Sequence, residues 1–218
     1  MAVERRRRMP AAQRRGVILA AAEETFARCG YHGASLDDIA HGAGVSKALI
    51  YEHFASKREL HASLLDEHVG DIFRRLEATA ERGEVGEQRL RSGLEAFLGF
   101  VEEHRGAWRV LFRDAADPDM AERIGAVQRQ ATQVIAGLIA SDPEGPALDP
   151  ALDADERALR IEIHAQLLSG AIQSLATWWH EHQEIPRDVL VDRAMELCWQ
   201  GVERLPERRV EVSAPVAR

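Results

Sequence analysis

Apolar side chains recur every three or four residues through most of this chain, and strand-like alternation is scarce. That period is typical of helices with one buried face, so the sequence predicts an all-α protein. Glycine, proline and polar clusters interrupt the pattern and mark the turns between helices. The interruptions fall at Gly30, at 42–44, at 82–86, at 117–118, at 141–150 and at Pro186.

The first 60 residues predict three short helices. Helix 1 spans about 12–28, with Ile18, Ala22, Phe26 and Cys29 on one stripe expected to be core, and Gly30 ends it. Ser35 and Asp38 have the spacing of a capping box, which predicts that a second helix begins there. The glycines at 42–44 stop that helix with a tight turn.

A third helix is predicted from Ser46 to Phe54. Ile50 and Phe54 share one face, which we assign to the core, so that other side chains point outward. Two helices joined by a short glycine-bearing turn form a helix-turn-helix, whose second helix enters the DNA major groove. The outward-pointing set is therefore a candidate DNA-binding surface.

The residues of this region resemble the DNA-binding signature of the TetR family of bacterial transcription regulators. Several separated elements match together: Ile39-Ala40, Ala43-Gly44-Val45-Ser46-Lys47, Tyr51-Glu52-His53-Phe54 and Ser56-Lys57-Arg58-Glu59-Leu60. Two positions depart from the pattern, since Ser35 stands where the family often has threonine and Ala48 where glycine is frequent. The resemblance implies a DNA-binding regulator whose larger helical domain surrounds a ligand cavity and forms a dimer.

Eight residues are candidates for DNA contact. Lys47 is expected at a base edge or nearby phosphate, Leu49 at a thymine methyl, and Tyr51 and His53 at phosphates. Ser35 and Lys57 would clamp the DNA backbone on either side of the helix. The full set is Ser35, Ser46, Lys47, Ala48, Leu49, Tyr51, His53 and Lys57.

Charge is distributed unevenly along the chain. Residues 1–60 hold ten Lys and Arg against seven Asp and Glu, which gives them a net charge of +3. The whole chain has a net charge of −8, so the net charge of the remaining residues is −11. The N-terminal end is thus attracted to phosphate while the acidic body is repelled from it. A basic arm, Arg5 to Arg8, precedes helix 1 and is either a solvated tail or a minor-groove contact.

The rest of the chain predicts a larger helical domain. A long helix begins at Ser56 and continues to about Glu81, and further helices follow with apolar stripes that include Leu90–Val101 and Met120–Leu138. We expect three regions: 1–60, a DNA-binding domain with a basic arm; 61–207, a ligand-binding and dimerisation domain; and 208–218, a flexible tail.

The last two helices predict a homodimer interface. The helix from about Asp153 to His182 is apolar on two sides, one through Ile172 and Trp179 and the other through Ile163 and Leu167. Such a helix needs two partners, of which one subunit easily supplies only one. The final helix, after Pro186, would join it in a four-helix contact between subunits.

Aromatic and histidine residues in the body are candidates for lining an effector pocket. Such pockets combine aromatic walls with few polar atoms. The body of the sequence contains no cluster of acidic or basic residues that would point to a strongly charged ligand. We therefore expect a small, largely apolar effector: a drug, a fatty-acyl species or a polyketide. The candidates are Phe97, His104, Trp108, Phe112, His164 and Trp178.

Other classes of function lack their motifs. The sequence contains no glycine-rich phosphate loop, no Gly-x-Ser-x-Gly and no Cys-x-x-Cys, so no enzyme and no cofactor are expected. No pair of histidines has the spacing of a zinc site, so no metal is expected. Two cysteines, no signal peptide and no apolar run of membrane length favour a cytoplasmic protein without membrane contact.

The sequence thus predicts a ligand-responsive transcription regulator, a repressor in preference to an activator. It would bind a palindromic operator of double-stranded DNA as a dimer and be released by its effector. Two alternatives stay open: a DNA-binding regulator without a small-molecule effector, and a helical lipid- or drug-binding protein that does not use its N-terminal unit.

Overall fold

A computed structural model describes residues 10–108, 118–143 and 152–200, and the elements in this part of the chain are helices. The predicted all-α class is confirmed. The helices are α1 Ala11–Gly33, α2 Leu36–Ala43, α3 Lys47–His53, α4 Lys57–Ala80, α5 Gly86–Glu103, α6 Arg105–Trp108, α7 Pro118–Ala140, α8 Ala154–Trp179 and α9 Arg187–Met195, with a π-helical turn at Glu196–Gln200.

Helix α1 loses regular helical geometry at Gly30, where φ is 70° and ψ is 172°. This positive φ is readily adopted by glycine, and it ends the regular helix where the sequence predicts. Ile18, Ala22 and Phe26 are buried as expected. Cys29, expected in the core, is instead exposed, because Gly30 turns the chain immediately after it and the last turn of α1 stays open to solvent.

Local hydrogen bonds set the ends of α2 and α3. The Ser35 hydroxyl accepts a hydrogen bond from the Asp38 amide at 3.1 Å, and the Asp38 carboxylate accepts one from the Ser35 amide at 3.3 Å, which completes the predicted capping box. Gly44 adopts the left-handed conformation, with φ 63°, and closes α2. The Ser46 hydroxyl then accepts from the Leu49 amide and begins α3.

Two apolar cores stabilise the chain. The first joins α1, α2, α3 and the beginning of α4, and it also contains Met120 and Ile124 from α7. The second joins the later part of α4 with α5, α6, α8 and α9. Ile50 and Phe54, which we assigned to the core from their spacing, are 0% and 2% exposed in the first of them.

Helix α4 contributes to both cores. Leu60, Leu64 and Leu65 are buried in the first, whereas Ile72, about two turns further on, is buried in the second. The helix is continuous through the predicted boundary at residue 60. The three-region division of the chain therefore stays a prediction, with α4 as the structural link between the two cores.

The later helices follow the predicted pattern with differences at their ends. Helix α5 ends at Glu103, because His104 leaves the helical conformation. The last α-helix ends at Met195 and gives way to a π-helical turn. Among the residues that the structure describes, no helix is long and apolar enough to cross a membrane.

Some sequence-based expectations lie outside the described residues. They concern the arginine arm Arg5 to Arg8, the candidate pocket residue Phe112 and the tail 208–218.

The capping box at Ser35 gives a test of how α2 is held. Replacing Ser35 by Ala removes the acceptor for the Asp38 amide, and we expect the free energy of unfolding to fall by about 1 kcal/mol. The measurement is urea denaturation followed by circular dichroism, without DNA. Ser35→Thr keeps the hydroxyl and should stay close to wild type. An unchanged midpoint for Ser35→Ala would show that the box does not stabilise α2.

Candidate DNA-binding surface and effector region

One side of α3 faces solvent. Ser46, Lys47, Ala48 and Tyr51 are exposed, and the Tyr51 side chain is the most open large apolar group of this unit at 51%. Leu49 and His53 are half-buried at the edges of the same surface. The structure thus brings six of the eight candidate DNA-binding residues together on one short helix and its N-cap, backed by the buried side chain of Ile50.

Lys47 makes an ion pair across the helix-turn-helix. Its Nζ lies 2.8 Å from the Asp37 Oδ2 of α2, and both side chains are largely exposed. The hydrogen bond to Asp37 raises the pKa of Lys47, so the ammonium stays charged. An exposed pair of this kind contributes little to stability, so a DNA phosphate or base edge can replace Asp37 at small cost.

Lys57 has a structural role beyond the predicted phosphate contact. Its ammonium donates hydrogen bonds to the carbonyl oxygens of Tyr31 at 2.8 Å and Ala34 at 2.9 Å, and it lies 4.5 Å from the centre of the Tyr31 ring. These bonds connect the start of α4 to the turn between α1 and α2. Ser35, the other candidate for clamping DNA, is engaged in the capping box in the same neighbourhood.

A cationic side chain from α1 also packs beside this unit. The Arg15 guanidinium lies 5.2 Å from the centre of the Phe54 ring, directly after α3. The sequence pattern alone does not show this contact, since it depends on how α1 packs across the helix-turn-helix. His53 lies on the adjoining turn, and its Nε2 is buried without a hydrogen-bond partner in the described part of the chain.

The candidate effector residues fall into separate groups. Phe97 and Trp108 meet edge to face with ring centres 5.6 Å apart, and Trp108 is only 3% exposed. His104 packs instead on Phe100, at 4.6 Å between ring centres. These three candidates lie on α5, α6 and the residue between them, beside the second core.

The remaining two described candidates lie on α8. The His164 Nδ1 is 2.7 Å from the Arg160 carbonyl oxygen one turn earlier on the same helix. Trp178 is 44% exposed and stacks on the His182 ring at 4.1 Å. Trp178 therefore belongs to the solvent-facing side of α8 in the single chain.

That side of α8 carries a continuous exposed stripe with large apolar residues. Leu159, Ile163, Leu167 and Trp178 are between 44% and 67% exposed. Counted at 100° per residue, these positions fall within about one-third of the helix circumference. The small residues Gly170, Ala171 and Ser174 share the stripe and are also exposed.

Two buried histidines, His61 and His68, were not among the candidates from the sequence. His61 is fully buried between the Phe26 and Tyr31 rings, at 5.1 and 4.9 Å. Glu23, His68 and His104 come together from three parts of the chain. A search for local ligand spacing cannot find such a group, because its members are 45 and 36 residues apart.

Two family models match the chain. The model described as bacterial regulatory proteins of the tetR family covers residues 18–64, which contain the helix-turn-helix. The model described as a tetracyclin repressor-like C-terminal domain covers residues 87–201, more than half of the chain.

Individual relatives agree with these matches. The HTH-type transcriptional activator FasR of Mycolicibacterium smegmatis is 31% identical over 93% of this chain and 89% of its own length. A TetR-like transcriptional regulator from Rhodococcus sp. RHA1 superposes with a TM-score of 0.73 at 29% identity, over 90% of this chain and all of that one.

A third protein shares the fold at lower identity. The transcriptional regulator FadR of Bacillus subtilis, solved in complex with stearoyl-CoA, has a TM-score of 0.72 and 21% identity, over 85% of this chain and 98% of that one. With the capped helix-turn-helix and the matches over both halves of the sequence, the chain belongs to the TetR family of bacterial transcription regulators.

Proposed function

We propose that this protein is a homodimeric repressor that binds a palindromic operator through α3 and is released by a largely apolar effector. The observation that carries the proposal is the exposed face of α3, held on a unit whose three helix starts are capped by Ser35, Ser46 and Ser56. A rigid support of this kind fixes the register of side chains that contact bases.

Lys47 is the residue that we expect to contact a base edge or a nearby phosphate. It lies at the first position of α3, the end that enters the major groove in helix-turn-helix proteins. Tyr51, one turn further on, adds a phosphate contact, and Leu49 is in position for a thymine methyl. Ser35 and Lys57 flank the helix and contact the DNA backbone, with Lys57 using the donor that its two carbonyl partners leave over.

Replacing Lys47 by Ala tests this assignment. We expect the operator affinity to fall by about 1–3 kcal/mol if Lys47 contacts a base, and the salt slope to fall by about one if it contacts a phosphate. The measurement is fluorescence anisotropy with DNA flanking the protein's own gene, at several salt concentrations and with unrelated DNA as competitor.

Arg74→Ala is the matched control for charge. Arg74 is an exposed cation on α4 that pairs with Asp71, so its loss changes the net charge equally without touching α3. If both variants bind the operator as wild type does, with the same salt slope, α3 is not the recognition helix.

The exposed stripe on α8 supports the proposed dimer. It runs for about 28 Å from Leu159 to Trp178, and the small side chains between them allow a second backbone to approach closely. Val189 on α9 and Leu197 in the π-helical turn are also exposed, at 42% and 71%. Two copies related by a two-fold axis would bury these faces against each other and present two α3 helices to half-sites about 34–36 Å apart.

Leu167→Glu tests the dimer. Leu167 is 67% exposed, so a glutamate there leaves the fold of the single chain intact but places two carboxylates in the proposed interface. We expect sedimentation to show a shift from dimer to monomer at micromolar concentration. Ala158→Glu, exposed on another side of the same helix, should remain a dimer. A dimeric Leu167→Glu protein would place the interface elsewhere.

Among the expected effectors we favour a fatty-acyl species, taken as a long-chain acyl-CoA, whose hydrocarbon chain is apolar although its CoA head group is charged. Phe97 and Trp108 pack edge to face at the second core, and aromatic walls of this kind are what a hydrocarbon chain would contact. A relative 21% identical is named a fatty acid metabolism regulator protein, and the FadR structure contains stearoyl-CoA. His104, His164 and Trp178 remain candidates for polar or rim contacts, and Phe112 for the wall.

The effector proposal predicts dependence on chain length. Each additional buried CH₂ contributes about 0.8 kcal/mol, so affinity should rise roughly fourfold per methylene until the chain fills its binding site. Thermal shift and operator release are measured with a series of saturated acyl-CoAs. Free CoA, which has the same head group without the chain, is the control. Equal responses to free CoA and stearoyl-CoA would contradict an apolar chain site.

The alternatives separate in the same experiments. A regulator without an effector would bind the operator but show no ligand-dependent shift, whereas a lipid-binding protein would show the shift without specific operator binding. The 31% identical relative is named an activator, so in vitro transcription from the operator decides the sign of regulation. Reduced transcript with the protein present supports repression, and increased transcript supports activation.

A further inference from the structure

A group of three metal-ligand side chains lies where the N-terminal unit meets the body. Glu23 is on α1, His68 is on α4, and His104 directly follows α5. The Glu23 Oε2 is 3.5 Å from the His68 Nε2, and the Glu23 Oε1 is 3.6 Å from the His104 Nδ1. One donor atom from each of the three residues lies within 4.8 Å of the others.

These separations suit a shared metal ion better than direct hydrogen bonds. A charge-assisted N–H···O bond is about 2.7–2.9 Å long, well below the two distances found here. Ligands at about 2.0–2.2 Å from a tetrahedral zinc ion are about 3.3–3.6 Å from one another. The two Glu23 contacts are therefore near the edge length of a zinc tetrahedron.

The two rings are held in place by the core. His68 is 5% exposed, and its Nε2 makes no hydrogen bond within the described ranges. Phe100, fully buried, packs against both rings, with its centre 5.8 Å from His68 and 4.6 Å from His104. A buried nitrogen without a hydrogen bond is costly, and coordination to a metal would satisfy it.

The proposed site is open to solvent on the side of Glu23 and His104. The Glu23 and His104 side chains are 30% and 27% exposed, which leaves a path for an ion and room for a water ligand.

We propose that Glu23, His68 and His104 bind one divalent transition-metal ion of the zinc class, with water as the fourth ligand. Two imidazoles and one carboxylate are a ligand set that zinc uses. Magnesium and calcium, which prefer oxygen ligands, are disfavoured by the two nitrogen donors.

The bound ion would fasten α1 to the body. Helix α6 already packs so closely on α1 that a Cβ on Gly106 would lie 2.8 Å from the Cβ of Ala27. The metal adds a bridge from α1 to α4 and to the end of α5 beside this contact. Because the ligands come together only in the folded chain, metal binding stabilises this junction against unfolding.

The test uses the full-length protein, freed of any histidine tag and dialysed against a chelator. We expect one Zn²⁺ per chain by equilibrium dialysis, a thermal midpoint that rises with Zn²⁺ concentration, and visible bands of tetrahedral geometry with Co²⁺. Mg²⁺ at the same concentration should leave the midpoint unchanged.

Two variants remove ligands with little change in shape. Glu23→Gln keeps the size of the side chain, and His104→Gln alters a half-buried position, so both should retain wild-type helicity by circular dichroism. Loss of a residue that only supports a metal ligand lowers metal affinity roughly 10–100-fold. Each of these variants removes a ligand itself, so each should lower the Zn²⁺ affinity by more than that. Each should also abolish the Co²⁺ bands.

Two control variants match the ligand variants: one changes the residue next to Glu23, and the other changes a histidine outside the site. Glu24→Gln changes the neighbouring exposed carboxylate, and His41→Gln changes an exposed histidine on α2, so both should bind Zn²⁺ as wild type does. Absence of stoichiometric Zn²⁺ binding by the wild type would overturn the proposal. Binding that persists unchanged in Glu23→Gln and His104→Gln would overturn it equally.

Discussion

The sharing of α4 between two cores is the constraint on which the rest of the structure depends. Its first half buries Leu60, Leu64 and Leu65 under the helix-turn-helix, and Ile72 joins the core of the body. A helix of 24 residues spans about 36 Å and contributes side chains to both cores. The N-terminal unit and the body are therefore connected through one continuous helix.

Polar contacts fix the position of the N-terminal unit relative to α4. Lys57 is at the first position of α4, where the helix dipole disfavours a positive charge. The two carbonyl oxygens from Tyr31 and Ala34 offset this cost, and they tie the turn after α1 to α4. The other lysine of the chain, Lys47, has the exposed carboxylate of Asp37 as its partner. The ammonium groups of the two lysines thus have different partners: two backbone carbonyl oxygens for Lys57 and a side-chain carboxylate for Lys47.

Helix α8 has apolar residues on two faces, one buried in the body and one exposed to solvent. Its Trp179 is 1% exposed, and its indole nitrogen donates a hydrogen bond to the Ile185 carbonyl oxygen at 2.8 Å within the body. One residue earlier, Trp178 faces solvent with Ile163 and Leu167. Several large apolar side chains exposed along one helix face are typical of an interaction surface. This face is the one on which the proposed dimer is based.

The sequence by itself determined the all-α class, the three helix starts capped by serine, the burial of Ile50 and Phe54, and the family. These features depend on contacts within four residues or on period 3.6, which a single chain displays directly. Tertiary structure alone decided the bonds of Lys57, the meeting of Glu23 with His68 and His104, and the exposure of Cys29. Those outcomes depend on how helices distant in sequence cross and end, and no local spacing encodes a crossing.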